Sequence, residues 1–236
     1  MIRDPELSRA FEESWPAAEY RDAGGFRVGR GLGGGGRVGS ARALERWTPQ
    51  GIHDAIAIHR DWNQPVLFRA MQDDTPLKDA LAGAGLSPGK PTAVMVAPTA
   101  LLAEVEQPYL SAIPSWPPLA VQREIWEGGS IAPARQAAMD RVTLPKMSIL
   151  GRSKDWPVAA AFLAWADDVA MIHAIEVAPN ARRQGMGEWV VRGAAKVARD
   201  AGASRLALAV TVANAPAIAL YRKLGFATVG IYDYWE

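Results

Sequence analysis

Between Val177 and Gly187 the chain reads Val-Ala-Pro-Asn-Ala-Arg-Arg-Gln-Gly-Met-Gly, a run whose residue types suit the holding of a diphosphate. Arg182, Gly185 and Gly187 fit the pattern Arg-x-x-Gly-x-Gly, set after a strand-like segment and opening a helical one. The first N–H groups of a helix have no partner inside it and stand at the positive end of its dipole, so they attract anions. Glycine lets an anion approach the backbone closely, and Arg182 or Arg183 adds charge. Downstream, Asn214-Ala-Pro-Ala-Ile-Ala-Leu-Tyr221-Arg-Lys-Leu-Gly-Phe226 places a phenol on a short helix. Tyr221 reads either as an acid or as a core aromatic with its hydroxyl at the surface, and Asn214 suits both helix capping and ligand contact. His173, the only histidine in the second half, and Glu176 are the nearby groups suited to moving a proton. Strand alternation puts His173 on the side of Ile175 and Val177, with Glu176 facing the other way.

The elements around these residues are clearly punctuated. Val158–Trp165 and Val169–Val177 read as antiparallel strands joined at Ala166, Asp167 and Asp168, which suit a hairpin turn. From Met186 to Ala201, Met186, Val190, Val197 and Ala201 recur at helical spacing while Glu188, Arg192 and Lys196 occupy another face; Gly202 closes this helix. Leu206, Leu208, Val210 and Val212 alternate with Ala207, Ala209 and Thr211, as in a mid-sheet strand buried on both faces. Asn214 and Pro216 then open the helix of Tyr221, Gly225 ends it, and a last strand runs from about Ala227 to Tyr232.

Composition removes several classes of function. At 236 residues and 49% hydrophobic, the chain has enough apolar material for one large domain or two small ones. Its 26 basic and 25 acidic residues nearly cancel, which argues against nucleic acid and anionic membrane as partners. No apolar run reaches a membrane-spanning length and Met1–Glu13 is charged, so the cytoplasm is the expected location. With no cysteine, a disulfide, a thiolate metal site and a cysteine nucleophile are excluded. The histidines His53, His59 and His173 lack metal-ligand spacing, so no metal is expected.

The first half repeats the second. Sliding it so that Asp74 falls under Asn214 brings Pro76, Gly85 and Leu86 under Pro216, Gly225 and Phe226. The run Pro65–Met71 then lies under Arg205–Thr211, and Thr48 and Pro49 open a helix carrying Ile52, Ile56 and His59 under the one that begins near Gly187. This pattern reads as a diverged duplication, with units at 1–105 and 106–236 and a proline-rich join holding Pro108, Pro114, Pro117 and Pro118. Gly31 and Gly33–Gly36 read as a hairpin turn. Gly85–Lys90 is one residue too short for a Walker loop, and Pro91 replaces the needed Ser or Thr.

Taken together, the Arg182–Gly187 and Asn214–Phe226 motifs resemble the GNAT superfamily, the Gcn5-related N-acetyltransferases, over about Val158 to Tyr232. The resemblance implies an α/β (α+β) fold of two GNAT-like units, each a mixed, mostly antiparallel sheet flanked by helices. It implies acetyl-CoA as cosubstrate and direct transfer to the primary amine of a small molecule, amino acid or peptide. Arg182, Arg183, Gln184, Gly185, Met186 and Gly187 would hold the diphosphate. Ile175, Val177 and Asn214 would meet the pantetheine, and Tyr221 would protonate the departing thiolate. In the arylalkylamine branch a histidine stands where His173 does, but Met171 replaces that branch's second one. The general base stays open among His173, Glu176, water and an unplaced group. In the first unit Arg42, Glu45, Trp47 and Leu81 stand for Arg182, Gly185, Gly187 and Tyr221, so that unit resembles a degenerate copy without cofactor binding. The acceptor pocket is expected along Ile125–Val142, with Trp126, Arg135 and Met139, together with the first unit. A non-catalytic acyl-CoA sensor or a scaffold is the alternative, and a homodimer is left open.

Overall fold

The computed structural model describes residues 2–44 and 46–236. The first half contributes α1 (Pro5–Glu13), β1 (Tyr20–Ala23), β2 (Phe26–Gly29), α2 (Gly36–Gly39), β3 (Ala41–Ala43), α3 (Pro49–Asp61), β4 (Phe68–Met71), α4 (Thr75–Gly83) and β5 (Thr92–Pro98). After α5 (Thr99–Ala103) come β6 (Ala112–Ser115), α6 (Ala120–Glu127), α7 (Pro133–Arg141), β7 (Lys146–Ser153), β8 (Trp156–Ala166) and β9 (Val169–Val177). The chain closes with α8 (Met186–Asp200), β10 (Arg205–Thr211), α9 (Ala215–Lys223) and β11 (Ala227–Trp235).

All these strands join one 11-stranded, mostly antiparallel sheet in the order β1-β2-β3-β4-β11-β5-β10-β9-β8-β7-β6. Apart from the edge strand β6, the order is symmetric about the β11/β5 pair. Moving outward, β4 answers β10, β3 answers β9, β2 answers β8 and β1 answers β7. In each half the one parallel pairing, β3 with β4 and β9 with β10, spans a helix, α3 or α8. In each half a short helix follows, whose first turn is capped by a side chain: Asp74 accepts from Leu77 N, and Asn214 from Ala217 N, both at 3.3 Å. The halves also exchange their last strands. Each exchanged strand pairs with the other and with the partner half, β5 with β10 and β11 with β4.

Burial follows the side-chain pattern. Leu206 and Leu208 of β10 enter the cluster under α8, while Ala207 enters the opposite one under α1. The alanines of β8 keep both faces thin enough for helices to close on them: Ala159, Ala161 and Leu163 meet the α8 side, whereas Ala160, Phe162 and Ala164 meet Trp15 and Trp126. Amphipathic α1 buries Leu7, Ala10 and Phe11 across the centre of the sheet, roughly 1.5–3 kcal/mol for each large side chain. Arg205 ties α1 down through Asp4 and Glu6.

Two sequence expectations need correction. The Gly31–Gly36 segment does join antiparallel neighbours, β2 and β3, but it is no simple hairpin turn, because it carries the helical turn α2. Pro114, expected to interrupt regular structure, lies inside β6, where a sheet-edge strand can spare its N–H. Glu45, which the sequence aligns with Gly185, lies outside the described residues.

Because each half completes the other's sheet, fragments 1–105 and 106–236 made separately should aggregate, each left with an unpaired edge. Co-expressed, they should co-purify as one soluble complex; two soluble monomeric fragments on size exclusion would contradict the exchange.

Candidate functional site

β9 and β10 run side by side only over Val169–Met171 and Arg205–Ala207. Beyond Met171 they part, because β9 bulges: on β8, Ala160 and Phe162 pair with Glu176 and His173, so an extra residue is carried on β9. Ala174 takes it up with a positive φ of 50°, and the fully buried Trp126 fixes the bulge by donating from Nε1 to Ala174 O at 2.8 Å. The edge of β9 that faces β10 is thereby freed beside the residues that the sequence assigned to a cofactor.

The extra residue also inverts an expectation. Residues opposite one another on an antiparallel ladder share a face. His173, opposite Phe162, and Glu176, opposite Ala160, therefore lie together on the Trp126 face, while Ile175 and Val177 pack toward α8. Plain alternation had put His173 with Ile175 and Val177; it fails because the bulge intervenes.

On the α8 side the pieces converge. Ile175, Val177, Met186 and Tyr221 share one apolar cluster. Arg183 and Gly185 turn the chain with φ of 62° and 83°, and Gly185 opens α8 without a side-chain cap, so the N–H groups of Met186 and Gly187 are left unpartnered. Glu188 N and Trp189 N close on Gly185 O. A Cβ on Gly187 would stand 3.3 Å from Leu220 Cδ2 of α9. Gln184 folds onto Asn180 O, and Asn214 caps α9 through its oxygen, which leaves its amide N–H₂ exposed. Arg182 clamps the loop to the strand, donating from Nε to Val177 O at 3.0 Å and pairing with Glu176 at 3.1 Å. Burial pushes the Tyr221 hydroxyl up to about 12.

Across the sheet a cleft of about 300 Å³ opens between the halves. Ala174, Ala209 and Thr211 line it from the parted strands, joined by Thr92, His173, Tyr232 and Tyr234, with Trp15, Arg37 and Gly34–Gly36 from the first half and Arg135 from α7. His173 is buried, with Nε2 2.8 Å from Ser14 Oγ and Nδ1 3.3 Å from Arg37 Nη1. A guanidinium only donates, so Nδ1 accepts and Nε2–H donates to Ser14. Desolvation first, and Arg37 second, hold this imidazole well below its usual range and keep it neutral.

Of the segment expected to line an acceptor pocket, Arg135 lines this cleft, while Ile125, Gly128 and Gly129 line a separate hollow of about 250 Å³ beside Glu176. Trp126 and Met139 are core residues with no exposed surface. Arg37, Tyr232, Tyr234 and the glycine turn had not been singled out as site residues. The signal lay in an arginine directly after Gly33–Gly36 and in the aromatic end of the chain, but only the strand exchange brings the two together. Among the described residues no group of three or more histidines and carboxylates gathers to hold a metal, and no helix is long and apolar enough to cross a membrane.

Residues 122–226 match the acetyltransferase (GNAT) family. A streptothricin acetyltransferase of Streptomyces lavendulae is 47% identical over 73 residues, 31% of this chain and 38% of the relative, so the chain spans well under half of that protein's length. A GCN5-related N-acetyltransferase from Kribbella flavida superposes with a TM-score of 0.72 at 17% identity, covering 98% of this chain and 92% of its own. A tandem GNAT protein from the clavulanic acid biosynthesis pathway superposes with a TM-score of 0.64 at 12% identity, covering 89% and 76%. Residues 122–226 are therefore a GNAT-family acetyltransferase domain, within which the 175–187 and 214–221 segments lie, and 89% of the chain superposes on a tandem protein of that family.

His173 makes stability sensitive to acid. Its folded pKa is depressed, so its contribution is complete above the unfolded value near 6.5 and is lost as pH falls toward the folded value. Denaturant unfolding should show stability dropping below pH 6.5 by up to about 1.4 kcal/mol per pH unit, and His173→Asn should flatten that slope. An unchanged slope in the variant would contradict a neutral, buried His173.

Proposed function

We propose that the carboxy-terminal unit, 106–236, transfers an acetyl group from acetyl-CoA to a primary amine by direct attack. The observation that carries this reading is the parting of β9 from β10 beside the uncapped start of α8. The freed edge at Ile175 and Val177 suits the amide groups of a pantetheine, as an added strand does. The first-turn N–H groups of Met186 and Gly187, with Arg183 and Gln184 alongside, suit a diphosphate. Arg182, already bonded to Val177 O, holds the loop against the strand.

The amine enters from the cleft side and attacks the thioester carbonyl. A C–N bond forms, the C–S bond breaks, one proton leaves nitrogen and one ends on sulfur. Tyr221, held protonated by burial, donates a hydrogen bond to the departing thiolate. A thiol is a stronger acid than a phenol near 12, so the phenol stabilises the developing charge and keeps its own proton, and the proton the amine releases to water in the cleft is the one passed on to sulfur. With both ring nitrogens engaged, His173 is assigned to positioning Arg37 and Ser14. Glu176 is paired with Arg182, and the amine's proton is assigned to water in the cleft. The first unit has Leu81 fully buried in its core where Tyr221 stands in the second, and Arg42 faces Glu12, which supports a non-catalytic role for that half.

Calorimetric titration of acetyl-CoA should show binding to the wild type that Gly187→Glu weakens by at least about 10-fold, since it adds a like charge beside the diphosphate. Tyr221→Phe should lower kcat for thiol release by about 100-fold with the KM for acetyl-CoA nearly unchanged, and the wild-type kcat should show no alkaline fall up to about pH 10. Absence of acetyl-CoA binding would overturn the proposal, and full activity in Tyr221→Phe would remove that residue from it.

A further inference from the structure

The cleft between the halves has an unusual charge inventory. Two arginines line it, Arg37 and Arg135, and no carboxylate does. Its other polar groups are the neutral His173, the phenols of Tyr232 and Tyr234, and the hydroxyls of Thr92 and Thr211. Neither guanidinium forms a salt bridge among the described residues. Arg37 donates to Phe11 O and to His173, and lies 3.8 Å over the Phe11 ring. Arg135 donates from Nη1 to Ser130 O at 3.0 Å, whereas its Nε is fully buried with no partner and lies against Gly35, where a Cβ would come within 3.7 Å. Glu12, whose charge acts on Arg37 from a distance, is paired with Arg69 and Arg42 outside the cleft.

Desolvation holds both arginines below the usual arginine range, yet a guanidinium stays charged in proteins. A guanidinium without a counter-charge in a partly desolvated cleft is costly, and a planar anion at the Nη groups of Arg135 supplies that charge. The Gly34–Gly36 turn leaves room beside it, since Gly35 has a φ of 95° that admits no ordinary side chain without strain. At about 300 Å³ the space sits at the small end of ligand sites.

Resting on the acetyltransferase reading, we propose that the acceptor is a small amino acid or similar amino-carboxylate, its carboxylate held by Arg135 with Arg37 behind and its amine directed to the gap between β9 and β10. Arg135 is then a specificity-determining residue supplied by α7, and the first half serves as the wall that makes the acceptor site anion-selective. A cationic amine without a carboxylate meets two like charges there and is disfavoured.

The test compares α-amino acids with their carboxamides as acceptors in acetyl-CoA-dependent thiol release. The wild type should prefer the carboxylates by roughly 10–100-fold in kcat/KM. Arg135→Met, which keeps the apolar stem, should raise KM for the carboxylates by a similar factor with kcat and the KM for acetyl-CoA little changed, and should leave the carboxamides nearly unaffected; Arg135→Lys should restore part of the loss. Calorimetry with the same amino acids and carboxamides, without acetyl-CoA, reads the site independently of turnover. Carboxylate binding that Arg135→Met abolishes, with no thiol released from any amine, would support the anion site while sinking the acetyltransferase reading. Equal use or equal binding of carboxylates and carboxamides, loss of both alike in Arg135→Met, or no binding and no turnover with either, overturns the proposal.

Discussion

One extra residue on β9 governs much of this molecule. A strand that stayed in register with β8 would also stay beside β10, and the parallel ladder that starts at Val169 and Arg205 would have no reason to stop. The bulge at Ala174 turns β9 aside, and Trp126 keeps it there with a single hydrogen bond from a residue that has no exposed surface. Everything proposed for the site depends on that departure: the free strand edge at Ile175 and Val177, the exposed start of α8, and the opening behind them into the cleft.

The strand exchange supplies the other half of the design. A parted β10 would expose an edge to solvent, and edges invite association. On its other edge β10 is paired along its whole length by β5 of the first half, from Arg205 against Pro98 to Thr211 against Thr92, so only the side toward β9 stays open beyond Ala207. The same exchange carries β11, with Tyr232 and Tyr234, across to β4, and so sets the chain's last strand against the glycine turn of its first half. The cleft is thus a product of the strand exchange. Neither half builds it alone, since its lining draws on Trp15, Arg37, Arg135, His173 and Tyr234 together.

How much of this could be read from sequence follows from the range of each signal. Local signals read well: the hairpin at Ala166–Asp168, the amphipathic α8 with its Glu188–Arg192 pair, the doubly buried β10, and the caps Asp74 and Asn214 all depend on residues a few positions apart. The two motifs identified the family because they too are local. What failed was non-local or irregular. The face of His173 was misassigned because Ala174 carries no sequence mark of a bulge; alanine is an ordinary choice in a strand, and its positive φ is imposed by packing against Trp126. Trp126 and Met139 were expected in a pocket because large side chains suit both pockets and cores, and only burial separates the two. Arg37 and Tyr234 meet only through the strand exchange, which periodicity cannot show.

The central claim, that the gap between β9 and β10 is the acetyl-CoA site, is tested most directly by amide hydrogen exchange with and without acetyl-CoA. Occupancy of the gap should slow exchange in peptides covering Ile172–Glu188, the β9 edge and the first turn of α8, while β3 and β4 of the first half stay unchanged. Protection confined to the first half, or no change in Ile172–Glu188 at saturating acetyl-CoA, would contradict the account.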